Sequence, residues 1–339
     1  MKLFLILVVF LSLVTACQFR NTNIGENQLD PHHTEFYGGD GFKRESGKGP
    51  RDFAHDGNNV WLTHFAENSV SVWTSDRRLI ATHPVGKNPR PIIFGKNYIW
   101  VGNTGENSVV KVDLQGSIVD RFFIGGSSTE ISDILFDGVD IWIAASWGNS
   151  LTKITTDGEI IFTKSVPGFH PSPWALAFDG EYIWLACIGS ENIYKFNESG
   201  DIVGNFQVIE QKEITQDELS GPASIQGAWA GGPSDILFDG KKIWVTVPAD
   251  NTVILLTLSG EEIDRFQVIG MPMNLTLDDD SIWITQFSND SVYQGTLFGK
   301  EIGTYKTGDG PYGLSVVNGK TWVANFQENT VSFITGSQE

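Results

Sequence analysis

Seven tryptophans set the ruler of this chain. Trp61, Trp100, Trp142, Trp184, Trp244, Trp283 and Trp322 recur at intervals of 39 to 42 residues, broken once by an interval of 60. Eleven residues before each stand Pro50, Pro89, Ile131, Pro173, Pro233, Pro272 and Pro311. Between the two lies a turn signal: Asp56-Gly57, Gly95, Asp137-Gly138, Asp179-Gly180, Asp239-Gly240, Asp278-Asp279 or Asn318-Gly319. Past each tryptophan comes Asn68, Asn107, Asn149, Asn192, Asn251, Asp290 or Asn329. Four positions that keep one register seven times define a repeat. The fifth copy shows its content. Ile236 to Phe238 is an apolar run ending in Asp-Gly, a dipeptide that favours a tight hairpin turn. Ile243 to Val247 and Thr252 to Leu256 follow as further strand-like runs. Such a meander has two apolar faces and cannot bury both alone, so it must stack on copies of itself.

A period near 40 residues is that of a β-propeller blade; an ordinary β-sandwich has strands but no fixed period. Most copies continue through a second turn at Gly116, Gly158, Gly200, Gly260 or Gly299 into a fourth strand. The seventh copy stops after its third strand. Thr34-Glu35-Phe36-Tyr37, upstream of the first copy, has strand-like composition and no blade of its own. It is expected to supply the missing strand, because ring closure removes open sheet edges. The expected fold is therefore all-β: a seven-bladed β-propeller of four-stranded antiparallel blades over residues 34–339, closed by an N-terminal strand. The long interval between Trp184 and Trp244 places an insertion at about residues 210–230, on the same face as the proline-led strand starts.

Residues 1–16 read as a signal peptide: Lys2 precedes the apolar run Leu3 to Val14, which is too short to span a bilayer. Val14-Thr15-Ala16-Cys17 resembles the bacterial lipobox, whose cysteine is lipidated and becomes the mature N-terminus. Residues 17–33 are then an anchor and polar tether, and the expected location is the bacterial cell envelope, on the outer membrane if the cell is Gram-negative. His32-His33 lacks a third ligand in this segment. The other cysteine, Cys187, sits in a strand with no histidine motif beside it and reads as a small buried residue. Asp and Glu number 41 against 23 Lys and Arg, a net charge of −18. That balance argues against nucleic acid or an anionic bilayer surface as partner. The partners expected are an envelope protein, a glycan or an anionic small molecule, with the chain itself a monomer.

Asn68-Ser69-Val70-Ser71-Val72, Asn107-Ser108-Val109-Val110 and Asn329-Thr330-Val331-Ser332 resemble the YVTN repeats of surface-layer and envelope propellers. The proline to Asp-Gly to tryptophan register is similar to the blades of streptogramin B (virginiamycin B) lyase and, more loosely, of NHL-repeat propellers. The lyase resemblance implies a histidine directly after a blade proline, a glutamate three residues past a tryptophan, and a metal acting as electrophile. This chain has Arg51, Arg90, Ser132, Trp174, Ser234, Met273 and Tyr312 at the first position. At the second it has His64, Asn103, Ala145, Cys187, Val247, Gln286 and Asn325. Neither the histidine nor the glutamate is present, so the pattern argues for the scaffold and against that reaction.

No H-E-x-x-H, G-x-S-x-G or P-loop motif occurs. Asp52, Asp133 and Asp235 occupy equivalent places, two residues after the blade proline position. Near a central channel they could hold Ca²⁺ or Mg²⁺; the simpler expectation is that each caps a turn or pairs with an arginine, and that no cofactor is needed. Arg51, Arg90, Trp174 and Tyr312 should face the mouth of the channel, with His64 and Asn103 as further ligand candidates. Guanidinium forks suit carboxylate or phosphate, and aromatic rims suit sugars or protein side chains. The function expected is a non-catalytic, lipid-anchored binding or assembly scaffold. The alternative is a metal-dependent lyase-like or lactonase-like enzyme with its site at the channel.

Overall fold

The computed structural model describes residues 36–37, 41–126, 129–208 and 231–335. The signal peptide, Cys17, the tether and the insertion at 210–230 lie outside the described residues. Seven antiparallel sheets form a ring of blades: residues 50–84, 89–123, 131–165, 173–207, 235–267, 272–306 and 311–335 in order. Within each blade the first strand is innermost and the fourth lies at the rim. Blade seven brings only three strands of its own. Gly41–Glu45 completes it by pairing antiparallel with Thr330–Thr335, Phe42 opposite Phe333. An N-terminal strand thus closes the ring, but it lies downstream of the predicted Thr34–Tyr37. Phe36–Tyr37 instead adds a short fifth strand outside Gly41–Glu45.

The need for stacking shows directly in the core. Among the described residues there are seven apolar clusters, and each lies across one seam between neighbouring blades. The tryptophan of each blade sits in the seam with the next. Trp61 packs with Val101 and Val110 of blade two, and Trp184 with Val245 and Ile254 of blade five. Trp322 closes the circle against Phe53, Leu62 and Trp73 of blade one. All seven tryptophans are at most 2% exposed. Burying a side chain of this size removes roughly 150–250 Å² from water, so the seams hold most of the folding energy.

The Asp-Gly turns are longer than the sequence suggested. In blades one, three, four and five the aspartate opens a loop rather than a two-residue hairpin, for example between His55 and Asn59. Asp56 Oδ1 accepts the amides of Asn58 and Asn59, while Oδ2 accepts the Trp61 indole N–H at 2.7 Å. Asp137, Asp179 and Asp239 do the same for Trp142, Trp184 and Trp244. Burial works against the charge, but these bonds outweigh it and hold the Asp56, Asp137 and Asp179 carboxyls below the usual range. Two-residue turns occur in blades two, six and seven instead. Asn318-Gly319, with both φ positive, has the backbone such a turn needs.

The repeated Asn also has a mechanical role. Asn68, Asn107, Asn149, Asn251, Asp290 and Asn329 all have positive φ. Their side-chain oxygens accept backbone amides from the loop entering the next blade, as Asn329 does from Gly49 at 2.8 Å. In blade four the positive-φ residue is Glu191, not the predicted Asn192. That blade is the one followed by the insertion.

Candidate binding site

Each blade's first strand enters at one face of the ring, led by a proline in six blades and by Ile131 in blade three. In six blades the pairing of the first and second strands shifts register just after that position, for example between Pro50 and Phe53 and between Pro89 and Ile92. A bulge sets two residues against one and re-aims side chains. Here it directs the two residues after the proline toward the channel, the first at its mouth and the second deeper.

At the mouth four predicted residues come together. The Arg51 guanidinium lies 3.5 Å from the Tyr312 ring centroid and 5.0 Å from that of Phe326. The Arg90 guanidinium lies 3.7 Å from the Trp174 ring and donates to the Tyr312 hydroxyl at 3.3 Å. Blades one, two, four and seven are thus joined by one run of stacked cations and rings. Arg90 is 8% exposed. A cation stacked over an aromatic face is held in place by the ring's quadrupole. Gly313 makes this possible in blade seven, because a β-carbon there would overlap the Arg51 carbonyl oxygen. Glu130 stands in the field of both arginines; burial raises its carboxyl, and Arg90 and Arg51 pull it back down.

Three aromatic residues missed by the sequence reading extend the site. Phe65, Phe287 and Phe326 each follow a blade tryptophan by four residues. Phe65 meets Phe326 edge to face at 6.2 Å, and Phe287 meets Tyr312 at 6.4 Å. They come from the adjacent blades six, seven and one. Their fixed offset from the tryptophan was the available signal.

Deeper in the channel the three aspartates act as clasps. Asp52 accepts the amides of Phe53 and, on blade two, Ile92 at 3.2 Å. Asp133 accepts those of Ile134 and, on blade four, Leu176 at 2.7 Å. Asp235 accepts Ile236 and, on blade six, Leu275 at 2.8 Å and the Asn274 side chain. Blades are therefore clasped in the pairs one–two, three–four and five–six. Burial pushes the Asp52 carboxyl up to about 6 and Asp235 up to about 7. Burial also raises Asp133 well above its ordinary value, and repulsion from Asp52 and Asp235 adds to it. Among the described residues no three His, Cys, Asp or Glu side chains are placed to hold a metal ion. With each carboxylate already taken by backbone amides of two blades, these residues do not fit a Ca²⁺ or Mg²⁺ site.

His64 and Asn103 lie in the second strands, paired with Pro50 and Pro89. Both are fully buried. His64 Nε2 shares a 2.6 Å hydrogen bond with Ser71, and Asn103 donates to Ser108. Each sits beneath the loop that enters its own blade, against Gly47 and Gly86 respectively. A ligand at the mouth would not reach either. Burial pushes the His64 imidazole down to about 4, against the pull of Glu67, so it is neutral at ordinary pH. Cys187 is likewise fully buried, and burial raises its thiol far from the reactive range.

No family model matches the chain, and no curated protein matches it in sequence. Solved structures do. Virginiamycin B lyase from Staphylococcus aureus is 20% identical, covering 85% of this chain and 95% of the lyase, with a TM-score of 0.71. A catalytically inactive histidine-to-alanine variant of that lyase, solved with quinupristin, is 19% identical over 87% and 99% of the two chains, with a TM-score of 0.72. Hydrazine synthase of Kuenenia stuttgartiensis is 18% identical over 93% and 100%, with a TM-score of 0.70. The likeness is one of fold. The resemblance to streptogramin B lyase read from the repeat register holds at that level, and propellers of one fold host unrelated activities.

Proposed function

We propose that this chain is a lipid-anchored propeller of the bacterial envelope that binds a partner at its upper mouth without catalysing a reaction. The observation that carries this reading is the pair of guanidiniums mounted on aromatic faces, Arg51 on Tyr312 and Arg90 on Trp174. A planar cation fixed in this way is pre-organised for a carboxylate or phosphate, and the rings of Phe65, Phe287 and Phe326 beside it suit an apolar portion of the same partner. The aspartates deeper in the channel are engaged in joining blades. The partner is an envelope protein, glycan or small molecule carrying an anionic group.

The lipobox-like segment and the polar tether support the anchor. Changing Cys17 to Ala is expected to move the protein from the membrane fraction to the soluble one with its melting temperature unchanged. The test of the mouth is capture from envelope extracts by wild type and by the Arg51→Ala, Arg90→Ala double variant, with melting curves for both. The expected result is loss of the captured partner with a small fall in melting temperature. Lost stability with unchanged capture would make the arginines braces between blades and remove the site.

A second reading is a lyase-like or lactonase-like enzyme. Its support is the fold shared with virginiamycin B lyase and the raised carboxyls of Asp52 and Asp235 in the channel. Ring opening of a cyclic depsipeptide or lactone by the purified protein, with and without added Mg²⁺, tests it. Turnover that survives purification and is lost in Asp235→Asn would favour it over the scaffold.

A further inference from the structure

The clasps and the mouth meet at one residue. Asp52 follows Arg51 directly on the first strand of blade one, and its carboxylate reaches across the seam to the Ile92 amide, two residues past Arg90. A second link runs beside it. The buried Thr63 hydroxyl accepts the Asp52 amide at 3.1 Å and donates to the Arg90 carbonyl at 3.0 Å. The strand that carries Arg90 is therefore pinned to blade one through both the backbone and the side chain of Asp52. Asp133 and Asp235 make the same kind of clasp, but serines, Ser132 and Ser234, precede them.

Charged groups face Asp52 from several sides. Arg51 and Arg90 attract its carboxylate from the mouth. Asp133 and Asp235 repel it from around the channel. Blade seven presents Gly313, whose α-carbon packs against the Asp52 backbone without a side chain. Glu130, from the loop entering blade three, lies in the field of the same two arginines. Arg90 and Tyr312 are each 8% exposed, so charges in this layer are weakly screened. The two arginines thus face two anions, an ionised Asp52 below and the partner's anionic group above. Those anions repel each other and divide the field of one pair of cations.

We propose that Asp52 makes anion binding at the mouth proton-linked: an anion held by Arg51 and Arg90 draws a proton from solvent onto Asp52, and a proton on Asp52 leaves both arginines to the anion. This coupling presupposes that the mouth is the partner's binding site. Burial has already brought the Asp52 carboxyl up to about 6, so engaging the arginines moves its titration toward neutrality. A tenfold coupling corresponds to a move of about one unit, to about 7. The partner is then held more tightly as the medium becomes acidic, and by reciprocity its binding takes up a proton.

The test uses 4-toluenesulfonate, an aromatic anion whose charge is constant across the pH range. It is titrated into the whole protein at low, fixed ionic strength and followed by calorimetry in buffers of different ionisation enthalpy. Wild type should bind it at least about fivefold more tightly at pH 5.5 than at pH 8, and should take up about half a proton at pH 6.5. Asp52→Asn should bind with affinities that agree within about twofold at the two pH values. Because that variant also alters the clasp, proton uptake is measured in Glu130→Gln as well, which leaves the clasp whole and removes the other carboxyl near the arginines. Uptake should persist there. No saturable binding by wild type, or equal binding by the Arg51→Ala, Arg90→Ala double variant, would overturn both the mouth as a site and the coupling. Binding that requires the arginines but is equal at the two pH values would overturn the coupling and leave the mouth standing. So would a pH dependence that survives in Asp52→Asn, or an uptake that vanishes in Glu130→Gln.

Discussion

Asp235 offers a direct test of the clasps in the channel. Its carboxyl is raised from 3.8 to about 7 by burial, against the backbone bonds from Leu275 and Ile236. A folded value above the unfolded one means that folding takes up a proton. The resulting stability is fully present below about pH 4 and is lost as the pH rises through about 7. Three units at 1.36 kcal/mol each amount to about 4 kcal/mol, of which about 3 kcal/mol falls between pH 5 and pH 8. Asp235→Asn removes this titration while keeping shape. At pH 5 the variant should be less stable by about 1–3 kcal/mol, because its NH₂ group faces an amide that a carboxyl oxygen would accept. By pH 8 that gap should close. His64 contributes with the opposite sign: its value is lowered to about 4 by burial, so its stability is lost as the pH falls from about 6.5 through 4. Both proteins carry His64, so the difference between them cancels it. Urea unfolding at both pH values is the assay. With a slope of about 3 kcal/mol per molar, the variant's midpoint should gain about 1 M on wild type between pH 5 and pH 8. Midpoints that differ by the same amount at both pH values would refute the argument.

Three further outcomes are expected. Gly313→Ala forces the seam between blades seven and one apart at the Arg51 carbonyl, and should cost about 3 kcal/mol or more in thermal unfolding. Deleting residues 1–45 removes the fourth strand of blade seven and should lower the melting temperature and cause association, whereas deleting residues 1–35 should do neither. Asp179→Ala leaves the Trp184 indole N–H buried without its acceptor and should cost about 1–3 kcal/mol near neutral pH, with the loss shrinking below pH 4 as the wild-type carboxyl protonates.

The seams were legible because burying a tryptophan on each repeat leaves a period near 40 residues, which in a chain of short strands is that of a propeller blade. The mouth was half legible. Arg51, Arg90, Trp174 and Tyr312 share a sequence position, so the ring brings them to one place whatever their chemistry. Phe65, Phe287 and Phe326 share another, but a phenylalanine in a β-rich chain reads as core until the blade geometry turns it outward. The closing strand was displaced because Gly-Phe-Lys-Arg-Glu, residues 41–45, carries charges suited to a rim strand and hides among polar residues, while Phe36–Tyr37 has the stronger strand composition. His64 and Asn103 were misplaced because strand alternation predicts a face, not the loop folded over it.

Closure by Gly41–Glu45 also fixes when the ring can form. That strand is made before the seven blades, and its partner Thr330–Thr335 only at the end of the seventh. Joining two such distant segments in an open chain carries a large loop-closure entropy. Blades that fold in order as they emerge shorten the gap, until the two ends stand side by side. The first strand therefore waits with an unpaired edge until the seventh blade is made, and charged residues such as Lys43, Arg44 and Glu45 disfavour edge-to-edge pairing with a wrong neighbour.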